Sequence, residues 1–204
     1  MTRVGGLARV SLNILILGPQ GSGKGTQATR IASEYGIPHI STGNMFREAI
    51  AARSTLGSQV EPILSSGALV PDELTIGLIR ERVGRPDAEG GFVLDGFPRN
   101  AVQADALDAL LDEIDRPLDV VLELQVPDEI CLERMIGRAE QEGRADDTPE
   151  VIARRLEIYH TETAPLVGHY LPTGNVVGIH GDRRVEEVWS QIADALEKVQ
   201  ERVA

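Results

Sequence analysis

The stretch "GPQGSGKGTQ", residues 18–27, decides the fold. Gly18, Gly21, Gly23 and Gly25 surround Lys24, directly after the apolar run "NILILG" (13–18) and directly before the helical pattern "GTQATRIASEYG" that Gly36 closes. A glycine-rich turn between a buried strand and a helix lets successive backbone N–H groups ring an anion, aided by the positive end of the helix dipole. Lys24 can then reach the β- and γ-phosphates of a nucleotide. A tight turn with an incidental lysine is the alternative, and the register of strand, loop, lysine and helix argues against it. One position departs from the G-x-x-x-x-G-K-[ST] pattern: Gly25 stands where a hydroxyl would coordinate Mg²⁺. Thr26 can still bond a phosphate, so a metal here is expected to rest mainly on phosphate oxygens and water.

Outward from the loop, short apolar runs recur at "PHIS" (38–41), "GFVLDG" (91–96), "DVVLELQV" (119–126) and "NVVGIHG" (175–181), with helical patterns between them. The pattern "PEVIARRLEIYH" opens on Pro149, a residue suited to a helix's first turn. Alternating buried strands and helices predict an α/β fold of the P-loop NTPase type: a doubly wound, five-stranded parallel sheet flanked by helices. The ligand should sit at the carboxyl ends of the strands. Residues 41–70 are helical and longer than a crossover requires, so they predict a small helical insertion. The 204 residues suit one domain, and no repeat or interdomain linker is visible.

Composition restricts the partners. A net charge of −12 argues against a nucleic-acid surface, which needs a basic patch, so a phosphate ligand must be held by locally placed arginines and lysines. No apolar run approaches the roughly 20 residues of a membrane span, which predicts a soluble protein with no membrane partner. The first twelve residues lack the compact apolar stretch of a secretory signal and read as a dispensable tail. The single cysteine, Cys131, allows no internal disulfide and fits a reducing cytoplasm. His39, His160, His169 and His180 show no metal-ligand spacing.

Further motifs extend the reading: "ISTGNMFR" (40–47), "GALV" (67–70), "LDGFPRNAVQA" (94–104), "GRAEQEGRADD" (137–147) and "RRLEIYH" (154–160). Together with the loop, and in this order, they resemble the adenylate kinases, nucleoside monophosphate kinases that phosphorylate AMP from ATP. The resemblance runs from about Asn13 to the C-terminus, and in that family glycine at the position of Gly25 is normal. It implies a single kinase domain over 1–204 with an N-terminal tail (1–12), an NMP-binding insertion (41–70) and a short lid (138–148). Long-lid relatives insert a further subdomain, often tied by a metal. This chain has neither the length nor the cysteines for it, so zinc is not expected.

The resemblance also implies roles. Gly21, Ser22, Gly23, Lys24, Gly25 and Thr26 would hold ATP phosphates, with Arg134 near the ATP adenine and Arg183 contributing backbone to it. Arg99 in "DGFPR" would clamp the AMP phosphate together with Arg47, in a segment that also brings Gly96, Phe97 and Pro98 to AMP. Arg138, Arg144 and Arg155 would converge on the transferring phosphoryl group, Arg138 from the ATP side and the other two reaching AMP as well. A guanidinium suits this work because its planar fork pairs two phosphate oxygens and never loses its charge. Thr42 and Gln103 would meet the AMP base, and Ala68, Leu69 and Val70 would line it with backbone. Asp95, at the end of an apolar strand, would act on Mg²⁺ through water.

Plainer readings stand beside several of these. Thr42 also suits a helix N-cap. Asp95-Gly96 also suits a turn. Arg47 and Arg99 could be solvated, and Arg134 and Arg138, four residues apart on one helix face, could sit on an exposed helix. Asp147 could cap the next helix, with Glu150 completing a capping box, while Asp146 and Asp147 could instead hold lid arginines. At the level of function, the expected reaction is Mg-ATP plus AMP giving two ADP by a monomeric cytoplasmic enzyme. The rivals are a UMP/CMP kinase on the same fold and a nucleotide-binding regulator without chemistry. A GTPase switch is disfavoured because no N-K-x-D motif is present.

Overall fold

The computed structural model describes residues 11–142 and 148–203. The chain runs β1 (Leu12–Leu17), α1 (Lys24–Tyr35), β2 (His39–Ser41), α2 (Thr42–Ala51), α3 (Thr55–Ser65), α4 (Asp72–Val83), β3 (Gly91–Asp95) and α5 (Ala101–Glu113). It continues with β4 (Val120–Gln125), α6 (Asp128–Glu142), α7 (Pro149–Ile158), α8 (Leu166–Tyr170), β5 (Val176–His180) and α9 (Val185–Val203). The strands form one sheet in the order β2-β3-β1-β4-β5, and every pairing is parallel. This is the α/β architecture that the five apolar runs predict.

β1 shows why the sheet is covered on both sides. All six of its residues are buried, and successive side chains serve opposite faces. Leu12, Ile14 and Ile16 pack with Ala28 and Ile31 of α1 and with Ile192 and Leu196 of α9. Leu15 and Leu17 pack with Ile79 and Val83 of α4 and with Leu107 and Leu111 of α5. The one polar residue of the strand, Asn13, is fully paired: its N–H donates to Asp119 Oδ2, its Nδ2 to the Pro117 carbonyl, and its Oδ1 accepts from Arg116. A buried amide satisfied in this way avoids the penalty of unpaired polar burial.

α1 ends where its sequence indicates, with Gly36 in the left-handed region (φ 65°) donating its N–H to the Ala32 carbonyl. The start of α7 corrects an expectation. Its cap is Thr148, whose hydroxyl accepts from Val151 N at 3.4 Å, in place of Asp147. Pro149 supplies the reason: it occupies the first helical position and forces the residue before it into an extended conformation, so Thr148 becomes the N-cap. Glu150 then falls one position short of a capping box. Asp146 and Asp147 lie outside the described residues, as do Arg144 and residues 1–10.

Between β2 and α4, helices α2 and α3 carry a small apolar cluster of their own, centred on Phe46, Val60 and Val70. Gly57 lets α3 lie directly on α2, since a Cβ there would collide with the Ala49 carbonyl. Among the described residues no helix is long and apolar enough to cross a membrane.

Candidate active site

The sheet brings two loops together at its carboxyl edge. β1 pairs with β3 so that Ile16 faces Asp95, and the glycine loop therefore leaves the sheet beside the "DGFPR" turn. Within the loop Gly18, Gly21 and Gly23 all have positive φ, at 145°, 82° and 93°. Gly21 is doubly constrained, because a Cβ there would lie 2.5 Å from the Cys131 carbonyl of α6. Gly23 caps α1 and, as a glycine, offers no side chain to bond the first amides of the helix. Gly25 has room: a Cβ would meet only Asp95 Oδ2, at 3.7 Å. The missing hydroxyl is thus a matter of chemistry and not of space.

Above these loops lies a cavity of about 540 Å³. Lys24, Arg47, Arg99, Arg134, Arg138 and Arg155 line it, and Asp95 is the one carboxylate in the lining among the described residues. In a chain of net charge −12 this is a strong local reversal of sign. Positive charge focused in a cleft in this way attracts anions.

The Lys24 ammonium donates to the carbonyls of Gly18 (2.6 Å) and Pro19 (2.7 Å). Burial lowers its pKa to about 8, against the pull of Asp95 and with the push of Arg99 and Arg138. Burial also lowers the pKa of Arg99. Asp95 opposes that shift, and the positive Arg155 and Arg47 add to it. For Asp95 the balance favours the charged form. Burial alone would raise its pKa, but the hydrogen bond to His39 and the charges of Lys24 and Arg99 outweigh it and hold the carboxyl below its usual range. His39 Nε2 lies 3.2 Å from Asp95 Oδ2.

The "DGFPR" turn is fastened from several elements. The Gly96 carbonyl accepts from the Thr42 hydroxyl (2.8 Å) and from Arg99 Nε (2.8 Å). Arg99 N–H donates to Gln103 Oε1 at 2.8 Å, and the Arg99 carbonyl accepts from Thr163 at 2.7 Å. Thr163 ends a π-helical turn, Tyr159–Thr163, that continues α7, and a π-turn of this kind is common beside functional sites. Arg155, on the preceding helix, reaches the Leu64 carbonyl of α3 at 3.3 Å. The arginine helix, the turn and the helical pair α2–α3 are therefore tied into one frame.

The sequence-derived residues distribute unevenly over this frame. Gly21, Gly23, Lys24, Gly25 and Thr26, together with Arg47, Ala68, Asp95, Gly96, Pro98, Arg99, Arg134, Arg138 and Arg155, line the main cavity. Thr42, Leu69, Val70 and Gln103 line a narrow cleft of about 20 Å³ that shares Ala68, Gly96 and Arg99 with it. Thr42 is the first residue of α2, and Ser41 holds the cap position, so the Thr42 hydroxyl serves Gly96 and not its own helix. Ser22 turns inward, 2% exposed, and Phe97 is a core side chain, 1% exposed. Arg134 Nη1 donates to the carbonyls of Gly181 (2.9 Å) and Ser22 (3.3 Å), strapping the loop to the end of β5. Arg183 sits in the turn after β5 with its side chain 62% exposed beside Asp182, away from the cavity lining. His39, Tyr159 and Thr163 also line the cavity; Tyr159 lies within the "RRLEIYH" motif but has no role assigned from it, and His39 and Thr163 reach the site through folding alone.

A divalent cation can be tested against these donors. Among the described residues no three or more His, Cys, Asp or Glu side chains are grouped to hold a metal ion. The ionised Asp95 carboxylate beside Lys24 and Gly25 offers one hard oxygen donor. That set suits Mg²⁺ carried mostly by phosphate oxygens and water, and does not suit a cage built by the protein.

Comparison with known proteins agrees with the geometry. A family model described as Adenylate kinase matches residues 16–175. A protein of Xanthomonas campestris pv. campestris (strain B100) named adenylate kinase is 45% identical over 185 residues, covering 91% of this chain and 99% of its own. One of Stenotrophomonas maltophilia (strain K279a) with the same name shows the same identity and coverage.

Proposed function

This chain belongs to the adenylate kinase family, and on that premise we propose how its cavity carries out the reaction. The activity is phosphoryl transfer from ATP to AMP, giving two ADP. The observation that carries the reading is the cavity in which, among the described residues, Lys24 and five arginines meet one carboxylate.

The glycine loop and the free amides of α1 bind the ATP phosphates, with Lys24 turning from the Gly18 and Pro19 carbonyls toward the β- and γ-phosphates. Arg99 and Arg47 hold the AMP phosphate. Arg138 and Arg155, with Arg144 from the lid, neutralise charge on the moving phosphoryl group. The nucleophile is a phosphate oxygen already ionised near neutral pH, so no general base is required. Transfer then depends on alignment and on fixed positive charge. Bound Mg²⁺ would neutralise the triphosphate and hold its conformation, with Asp95 reaching it through water. Residues 41–70 act as the NMP-binding insertion and 138–148 as the short lid, whose closure keeps water from the phosphoryl group. Thr42 and Gln103, in the narrow cleft, face the AMP base, and the cleft must widen for a purine to enter. We further propose that the enzyme is monomeric and cytoplasmic, a setting that suits its one buried cysteine thiol.

Relative kinetics test the choice of acceptor. With ATP fixed, kcat/KM for AMP should exceed that for CMP and UMP; a higher value for either pyrimidine would replace this reading with a UMP/CMP kinase.

The depressed Lys24 pKa predicts a pH effect on binding. Above about pH 8 the free enzyme increasingly holds Lys24 neutral, while the bound triphosphate favours the ammonium. Binding of ATP near pH 9 should therefore take up as much as about one proton, and affinity should fall as pH rises. Calorimetric titrations in buffers of different ionisation enthalpy measure this directly. Lys24→Met should abolish that uptake, and an uptake that survives the substitution would assign it to another group.

A further inference from the structure

Gln103 lies in the first turn of α5 and is 1% exposed. Its amide has two chemically different ends, and its neighbours dictate which end points where. The Arg99 backbone N–H, which can only donate, meets Oε1 at 2.8 Å. The Asp72 carboxylate, an acceptor only when ionised, meets Nε2 at 2.8 Å. Asp72 is itself held, because its Oδ1 also accepts from Asn100 Nδ2 at 3.0 Å, and Asn100 caps α5 by accepting from Gln103 N at 2.9 Å. Reversing the Gln103 amide would set N–H against N–H at Arg99 and oxygen against carboxylate at Asp72.

The fixed amide keeps one Oε1 lone pair and one Nε2 hydrogen for a ligand in the cleft, in a defined sense. A 6-aminopurine offers a donor at N6 and an acceptor at N1. A 6-oxopurine offers the reverse, an acceptor at O6 and a donor at N1. An amide that could turn would serve either base. One that cannot turn matches the first and repels the second in the same pose.

We propose that Asp72, which lies outside the lining of both the cavity and the cleft, is a specificity-determining positioning residue: by fixing the sense of the Gln103 amide it makes the monophosphate site select a 6-aminopurine over a 6-oxopurine. The proposal rests on the reading of Gln103 as the contact to the AMP base. Because Arg99 supplies the other half of the lock, the same hydrogen bond couples base reading to the phosphate clamp.

The test compares AMP with IMP, which differ at the purine 6-position, as acceptors at saturating ATP in the wild type, Asp72→Asn, Asp72→Ala and Gln103→Leu. Asp72→Ala removes the oxygen that accepts from both Gln103 Nε2 and Asn100 Nδ2, and so takes away one half of the lock. The ratio of kcat/KM for AMP to that for IMP should fall about tenfold or more in Asp72→Ala, with the KM for ATP unchanged. Asp72→Asn, whose amide oxygen can still accept from Gln103, should move the ratio in the same direction by less, and serves alone if the first variant does not fold. Retention of the wild-type ratio in the folded Asp72 variants, with loss of the ratio in Gln103→Leu, overturns the proposal and leaves Gln103 as the base contact. Retention of the ratio in Gln103→Leu removes the underlying reading and the proposal with it.

Discussion

Replacing Lys24 with methionine is expected to lower kcat by about 10²–10³-fold or more while the protein stays folded. Methionine keeps the length and the apolar stem of the side chain and deletes only the ammonium. Burial already depresses the Lys24 pKa to about 8, so the folded chain holds that charge under strain, and its removal relieves a desolvation penalty. The loss of the hydrogen bonds to the Gly18 and Pro19 carbonyls works the other way, and of the two residues Gly18 lines the cavity, where water can take the place of the ammonium. Thermal unfolding should therefore shift little, whereas steady-state turnover collapses. Wild-type-like turnover would remove Lys24 from the chemistry, and a collapse of Tm together with activity would make it a structural residue.

Arg99→Ala should act on the other substrate. The turn that carries Arg99 is fastened through its main chain, to Gln103 by the N–H and to Thr163 by the carbonyl, and both bonds survive truncation to alanine. The Gly96 carbonyl loses Arg99 Nε but keeps the Thr42 hydroxyl. What disappears is a guanidinium that burial, Arg155 and Arg47 disfavour and that Asp95 supports. The expected result is a higher KM for AMP and a kcat reduced by about 10²–10³-fold, with the KM for ATP close to wild type. Arg99→Lys should recover only part of this, because an ammonium keeps the charge and loses the two-point fork. An unchanged KM for AMP, with a raised KM for ATP, would place Arg99 on the wrong nucleotide.

The sheet was legible because strand burial on both faces leaves unbroken apolar runs, and β1 to β5 fall within a residue or two of the five runs that announce them. Local rules resolved α1, whose glycine terminator is visible, and failed at α7, where Pro149 shifted the cap from Asp147 to Thr148. Motif positions located most of the cavity's cations. They did not separate side chains that face the cavity from those that support it: Phe97 belongs to a core cluster, and Arg134 spends its guanidinium on two loop carbonyls. The partners of the "DGFPR" turn were hidden for a different reason. Thr163 reaches it across 64 residues of chain and Asp72 holds its partner Gln103 across 31, and no spacing rule connects positions so far apart.

The measurement that tests the central claim most directly is a phosphorus NMR time course of the purified protein with ADP as the sole nucleotide, with and without Mg²⁺. The account predicts that ATP and AMP appear together in equal amounts when the metal is present, as two ADP molecules occupy the one cavity and exchange a phosphoryl group. Folded protein that leaves ADP unchanged, or that releases AMP and inorganic phosphate without ATP, would contradict it.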